Sequence, residues 1–299
     1  MPEMKSGTYP IVVDLATDIA KNLAMRIPLI RRWRLSRPRT GLYYSGTQAE
    51  LENKAFFGLN LLLKYVGEVR GKDICEIGPG DNLVSGFAML AAGAASYTAI
   101  DRFPGDYIGQ EAKSWYRGAE ANWSDFYPEK PFGNGALKAA DFPEAYSDRV
   151  ELIDLPIENF EPRRRYDIVC SFQVGEHVSD INSFAANHLK LLKPNGVGLH
   201  RVDFCAHDVW CYYRNPLTFL RFPDWLWNLT GSNRGAPNRR RYHEFCSAFE
   251  RVGINYETPY IQSFNKNEVD VSCLNHKFKE MPEESVLVGS AIYKLRIDS

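Results

Sequence analysis

The sequence has no Cys-x-x-Cys pair. Its six cysteines, Cys75, Cys170, Cys205, Cys211, Cys246 and Cys273, are scattered, which argues against a zinc ribbon or a disulfide scaffold and suits free thiols in a reducing cytoplasm. No apolar run reaches the roughly 18 residues a membrane helix needs, and Met1 to Lys5 lack the start of a signal-peptide core. Neither sign of charge dominates: 36 Lys and Arg face 37 Asp and Glu, for a net charge of −1. That balance argues against a globally basic nucleic-acid binder. There is no internal repeat and no low-complexity linker.

What is present is a chain of 299 residues, 44% hydrophobic and 24% charged, the profile of a globular protein with a sizeable core. The length exceeds one minimal domain. Aromatic residues make up 13%, with 17 Phe, 16 Tyr and 6 Trp. One local charge cluster stands out. Arg31, Arg32, Arg34, Arg37 and Arg39 read either as a solvated basic face or as a contact for an anionic substrate or membrane surface.

Apolar spacing at Val12, Leu15, Ile19 and Leu23 predicts an N-terminal helix, and Gln48 to about Val66 a second. From about Lys72 the pattern alternates. Strands are expected at Asp73–Ile77, Tyr97–Ile100, Val150–Ile153, Tyr166–Ser171, Gly196–His200 and Ser285–Leu295, and helices at Leu83–Ala94, Ile181–Leu192 and Tyr242–Val252. Such alternation predicts an α/β fold with a doubly wound, mostly parallel sheet and helices on both faces. Two intervals, 102–148 and 201–241, are far longer than ordinary loops. Both follow the carboxyl end of an expected strand, the edge where open parallel sheets bind ligands. They hold five of the six tryptophans: Trp115, Trp123, Trp210, Trp225 and Trp227.

The strongest local signal is Glu76-Ile77-Gly78-Pro79-Gly80-Asp81-Asn82. Glycines between a strand and a helix let a ligand approach the backbone and leave amides exposed at the helix start. Asp101, at the end of the next strand, has the spacing of a carboxylate that accepts from ribose hydroxyls. A dinucleotide fingerprint would place a third glycine where Leu83 stands. Glu76, two residues before the first glycine, is foreign to that fingerprint too; a carboxylate there reaches a cationic ligand group.

These residues resemble the first motif, E-x-G-x-G, of the class I S-adenosylmethionine-dependent methyltransferases. The resemblance continues at Asp101, through Tyr166 to Val178, which is similar to the family's strand and Glu-His turn, at Leu189 to Gly196, and at the late helix Phe245 to Gly253. It implies a seven-stranded sheet and S-adenosylmethionine as cofactor, with S-adenosylhomocysteine as product. Residue by residue, it implies that Glu76, Ile77, Gly78, Pro79 and Gly80 hold the amino-acid end and that Asp101, with Arg102 beside it, holds the ribose. Ile157 lies near adenine, and Ser171 and Gln173 near the methionine part. Asp81 departs from the small residue usual at its position.

Methyl transfer to an alcohol needs a group that removes the hydroxyl proton, and histidine is the usual one near neutral pH. The candidates are His207, His200 and His177. Asp203, His207 and Asp208 offer a divalent-metal set, although a base without metal is the preferred reading and no metal ligand is assigned. The aromatic residues of both long intervals suit an acceptor chamber or plain packing. Arg234, Arg239, Arg240 and Arg241 suit a grip on an anionic acceptor or an exposed basic run.

The expectation is therefore a cytoplasmic methyltransferase acting on an oxygen of a small molecule, a saccharide or secondary metabolite. A helical extension over 1–70 precedes a methyltransferase domain over 71–299, whose insertions at 102–148 and 201–241 form a substrate cap. An RNA or protein methyltransferase and a non-catalytic nucleotide-binding scaffold are the alternatives. A homodimer is compatible with the sequence, and a nucleic-acid partner is disfavoured.

Overall fold

A computed structural model describes residues 4–30, 43–133, 137–231 and 236–297. The main helices are α1 (Thr8–Ala24), α2 (Phe57–Tyr65), α3 (Val84–Ala91), α4 (Gln110–Ala121), α5 (Ile181–Leu191), α6 (Asp224–Gly231) and α7 (Tyr242–Arg251). The strands are β1 (Asp73–Ile77), β2 (Ser96–Asp101), β3 (Val150–Asp154), β4 (Tyr166–Phe172), β5 (Leu192–Asp203), β6 (Asn255–Ser263) and β7 (Val288–Arg296). They form one seven-stranded sheet in the order β3-β2-β1-β4-β5-β7-β6. β7 alone runs antiparallel, to both β5 and β6. The expected α/β fold is present. Among the described residues no helix is long and apolar enough to cross a membrane.

β1, β2 and β4 are apolar because helices cover both faces of this part of the sheet. One face packs on α3, α4 and the helical run that begins at Gln48, burying Leu51, Phe56, Leu59, Leu62 and Phe87 completely. Thr47 and Glu50 start that run with a reciprocal capping box. The other face packs on α5 and α7 through Phe184, Phe245 and Phe249.

Several expectations need correction. α1 forms, but Val12 and Leu23 are exposed, while Ile11, Asp18 and Asn22 are buried. The helix leans on its polar residues: the Trp210 indole donates to Asp18 (3.1 Å) and the Asn22 amide to the Leu229 carbonyl (2.9 Å). β5 starts at Leu192, ahead of the expected Gly196. The Lys193–Gly196 turn is an irregularity within the strand, with Asn195 at φ 62. β6 was not foreseen. It is a mostly exposed edge strand containing Pro259, with a register shift between Glu257 and Tyr260, so neither apolar periodicity nor composition marks it. Glu283–Val286 is a helical turn, and the last strand begins after it.

The two long intervals differ. Trp115, Tyr116 and Trp123 from the first join the sheet's own core beside Phe56 and Phe87. Trp210, Tyr213, Phe219 and Trp227 from the second form a separate cluster with Ile11 of α1 and with Leu274 and Phe278. The aromatic residues of 102–148 are thus core packing, and those of 201–241 belong to a layer over the carboxyl end of β5. Arg31, Arg32, Arg34, Arg37 and Arg39 lie outside the described residues.

Candidate active site

β1 ends in a loop whose shape requires glycine. Gly78 and Gly80 have φ of 70 and 80, a region costly for side chains with a Cβ. A Cβ on Gly78 would also meet Val174 at 2.5 Å, whereas one on Gly80 would meet nothing within 4 Å. The loop is therefore packed on one side and open on the other. Asp101, at the end of β2, ties it down. One carboxylate oxygen accepts from the Gly80 amide (3.0 Å) and the other from the Phe103 amide (2.7 Å).

Glu76 is 3% exposed and accepts a hydrogen bond from the Tyr97 hydroxyl at 2.6 Å. Burial, only partly offset by that bond, pushes its carboxyl up to about 7. Burial also raises Asp101. Both carboxylates are held where a cationic or hydroxyl-bearing ligand would stabilise their charged form. Ile77 is buried beneath the loop, Pro79 is half-buried in it, and Arg102 is exposed next to Asp101 with its guanidinium over the Phe103 ring. Ile157 begins a short turn after β3 and accepts from the Asn187 side chain through its carbonyl (3.1 Å).

Two expected residues are placed elsewhere. Ser171 is fully buried and lies 2.8 Å from His200 Nδ1. His200 Nε2 lies 2.7 Å from His188 Nε2, and His188 Nδ1 lies 2.8 Å from the Phe184 carbonyl. The carbonyl only accepts, so His188 donates from Nδ1 and accepts at Nε2. His200 then donates from Nε2 and accepts the Ser171 proton at Nδ1. Burial holds His188 down to about 4 and His200 well below its ordinary value. His200 is therefore a neutral core residue with both nitrogens engaged, not a base facing an acceptor, and Ser171 is its partner in the core. Gln173, by contrast, is exposed just past β4 with a left-handed φ of 61, a costly conformation at the sheet's ligand edge.

His177 and His207 do converge. His177 closes the turn Gly175–His177 after β4, His207 follows β5, and their rings are 5.1 Å apart. They border a cavity of about 240 Å³ together with Asp18, Trp210, Trp227 and Thr230. Asp203 lies 3.8 Å from His207 Nε2. The metal grouping read from Asp203, His207 and Asp208 is not the one that forms. Glu176, His177 and His207 bring one donor atom each within 4.8 Å of one another. Burial pushes the Glu176 carboxyl up to about 8.

Two basic residues of the second insertion, Arg239 and Arg241, face inward. Arg241 is fully buried and donates to the carbonyls of Phe204 (2.8 Å), Val286 (2.5 Å) and Val288 (2.6 Å). Arg239 is buried against the Phe222 carbonyl (2.7 Å) and pairs with Asp224. Arg240 is exposed and pairs with Glu244 at 2.6 Å. Arg239 and Arg241 are staples of the fold, Arg240 makes a surface pair, and Arg234 lies outside the described residues.

Two contributors carry no signal in the sequence. Asp18 reaches the cavity from α1, more than 150 residues away in the chain from the rest of its lining. Asn238 clamps the Glu176 turn: its backbone amide donates to the Glu176 carbonyl (2.6 Å), and its side chain to the carbonyls of Gly175 (2.9 Å) and Val178 (3.0 Å). The Glu76 loop and the Glu176-His177 pair were the signals available in the sequence.

A family profile described as a methyltransferase domain matches residues 47–258, more than half of the chain. The chain belongs to this methyltransferase family. Short stretches are similar to ubiquinone biosynthesis O-methyltransferases. One, from Rhodopseudomonas palustris strain HaA2, is 44% identical over 41 residues, which is 14% of this chain and 16% of that protein. Another, from Bradyrhizobium sp. strain ORS 278, has the same identity over the same length and coverage. These matches span less than a fifth of the relatives' length. Among solved structures, a methyltransferase from Mesorhizobium loti is 13% identical with a TM-score of 0.45, covering 83% of this chain and 100% of that one. A second, from Listeria monocytogenes, is 13% identical with a TM-score of 0.44, covering 82% and 100%.

The methyltransferase offers a fit for its cofactor. The open face of Gly80 leaves room for a ligand against the backbone, and a cationic ligand group would stabilise the charged form of the buried Glu76 carboxyl, which burial raises.

Proposed function

We propose that this methyltransferase moves the methyl group of S-adenosylmethionine to an oxygen of a small molecule, a saccharide or secondary metabolite, bound in the cavity beyond β4 and β5. The observation behind this reading is that cavity: about 240 Å³, walled by Trp210 and Trp227, with His177 and His207 at one end. Its size suits a small acceptor better than a polymer. The local match to O-methyltransferases is in keeping with an oxygen acceptor.

In this reading the Gly78–Gly80 backbone and Glu76 hold the amino-acid end of the cofactor. Asp101 accepts from the ribose, Ile157 lies at the adenine side, and Gln173 flanks the methionine part. The cofactor supplies an electrophilic methyl group. The protein's share is to align the acceptor oxygen behind it and to take up the hydroxyl proton. The histidine pair at the cavity, with Asp203 beside His207, is assigned to that proton.

Incubation with methyl-labelled S-adenosylmethionine and separated metabolite, RNA and protein fractions tests the acceptor class. Label is expected in a metabolite as a methyl ether or ester, and to fall about a hundredfold in His207→Ala. Label confined to RNA or protein would overturn the small-molecule reading. No heat on mixing with S-adenosylmethionine or S-adenosylhomocysteine would overturn cofactor binding itself.

A further inference from the structure

We propose that Glu176, His177 and His207 form a divalent-cation site of the zinc class at the histidine end of the cavity. The inference rests on reading that cavity as the acceptor site; with the ion bound, the two imidazoles ligate it instead of taking the proton, and the ion would acidify the acceptor hydroxyl so that water can take its proton.

Three observations support it. The three side chains bring one donor atom each to within 4.8 Å of one another, and no other group of three or more His, Cys, Asp or Glu does so among the described residues. In a tetrahedral zinc set with bonds of about 2.1 Å, donors sit about 3.4 Å apart, so modest side-chain rotations close the trio. Second, Glu176 is 2% exposed, yet its Oε1 has no hydrogen-bond partner, and its Oε2 has only the Asp203 amide at 3.4 Å. A buried carboxylate oxygen without a donor is costly, and a cation would satisfy it. Third, Asn238 holds the Gly175–Val178 backbone through three hydrogen bonds, which fixes the backbone that carries both Glu176 and His177.

The surroundings fit a cation. Asp203 adds negative charge 3.8 Å from His207 Nε2, and Asp18 and Asp208 also border the cavity. Two imidazoles and one carboxylate favour Zn²⁺ and related transition ions over Mg²⁺. Three protein ligands leave a coordination position for an acceptor oxygen, which the ion would orient and make more acidic.

The test is calorimetric titration of the chelator-treated full-length protein with Zn²⁺ and, separately, with Mg²⁺, without cofactor or acceptor. One Zn²⁺ per chain is expected, with affinity reduced at least tenfold in both His207→Ala and His177→Ala. These side chains are half-buried and exposed, so their loss leaves folding intact. His276→Ala, at an exposed residue that does not line the cavity, should bind as the parent does. Zn²⁺ affinity unchanged in the His177→Ala, His207→Ala double variant, or no binding by the parent, would overturn the proposal. S-adenosylmethionine binding, measured on the same samples, reports separately on the methyltransferase reading.

Discussion

At the scale of single residues, buried ionisable groups separate function from architecture. Glu76 sits in the sheet beneath the glycine loop, its carboxyl pushed up to about 7 mainly by burial. If the cofactor's ammonium group pairs with it, binding lowers that value and releases a proton. Affinity is then full above about pH 7 and falls as pH drops below it, by about tenfold at pH 6. Calorimetry at several pH values should show this slope, and Glu76→Gln should bind weakly with no slope. A slope that survives the substitution would place the titrating group elsewhere. His188 and His200 act on stability instead. Both are neutral in the core, with values below that of an unfolded histidine. Their contribution is complete above about pH 6.5 and is lost as pH falls toward the folded values, by up to about 1.4 kcal/mol per pH unit for each. Glu76 opposes this, because a raised carboxyl loses stability as pH rises. The comparison is therefore with a variant: denaturant unfolding of His188→Gln between pH 6.5 and 5 should show a shallower acid loss than the parent. An identical slope would mean the pair is not neutral when folded.

At the scale of elements, the turn after β4 depends on a residue from the layer above it. Asn238 satisfies three carbonyls of Gly175, Glu176 and Val178. Asn238→Ala keeps the backbone bond but removes both side-chain donors, leaving two part-buried carbonyls unpaired. A loss of about 1–3 kcal/mol in unfolding free energy is expected, with turnover reduced and cofactor affinity unchanged, because the glycine loop is held separately by Asp101. A parallel loss of cofactor affinity would show that the two halves of the site are not independent. The same division explains what was legible. β1, β2 and β4 are buried on both faces, so apolar runs announce them. α1 docks through Asp18 and Asn22, so its apolar spacing pointed to the wrong face. β6 is an exposed edge with a proline, which gives no periodic signal.

At the scale of the molecule, the cofactor half was readable because its chemistry is local: Glu76 to Gly80 and Asp101 come from one strand–loop–helix–strand unit. The cavity proposed for the acceptor is assembled from α1, the turn after β4, the end of β5 and the second insertion. No window of sequence contains it, and His200, which looked available at the end of a strand, is identifiable as core only once His188 and Ser171 are seen around it. The antiparallel strand β7 has a consequence for the growing chain. It follows the other six strands in chain order, yet it lies between β5 and β6, and the carbonyls of Val286 and Val288 that receive the Arg241 guanidinium arrive with it. Until residues 286–296 leave the ribosome, β5 has a bare edge, β6 has no neighbour and Arg241 has lost two of its acceptors. The glycine-loop half of the sheet can close early in translation, while the half that carries the histidine cavity must wait for β7.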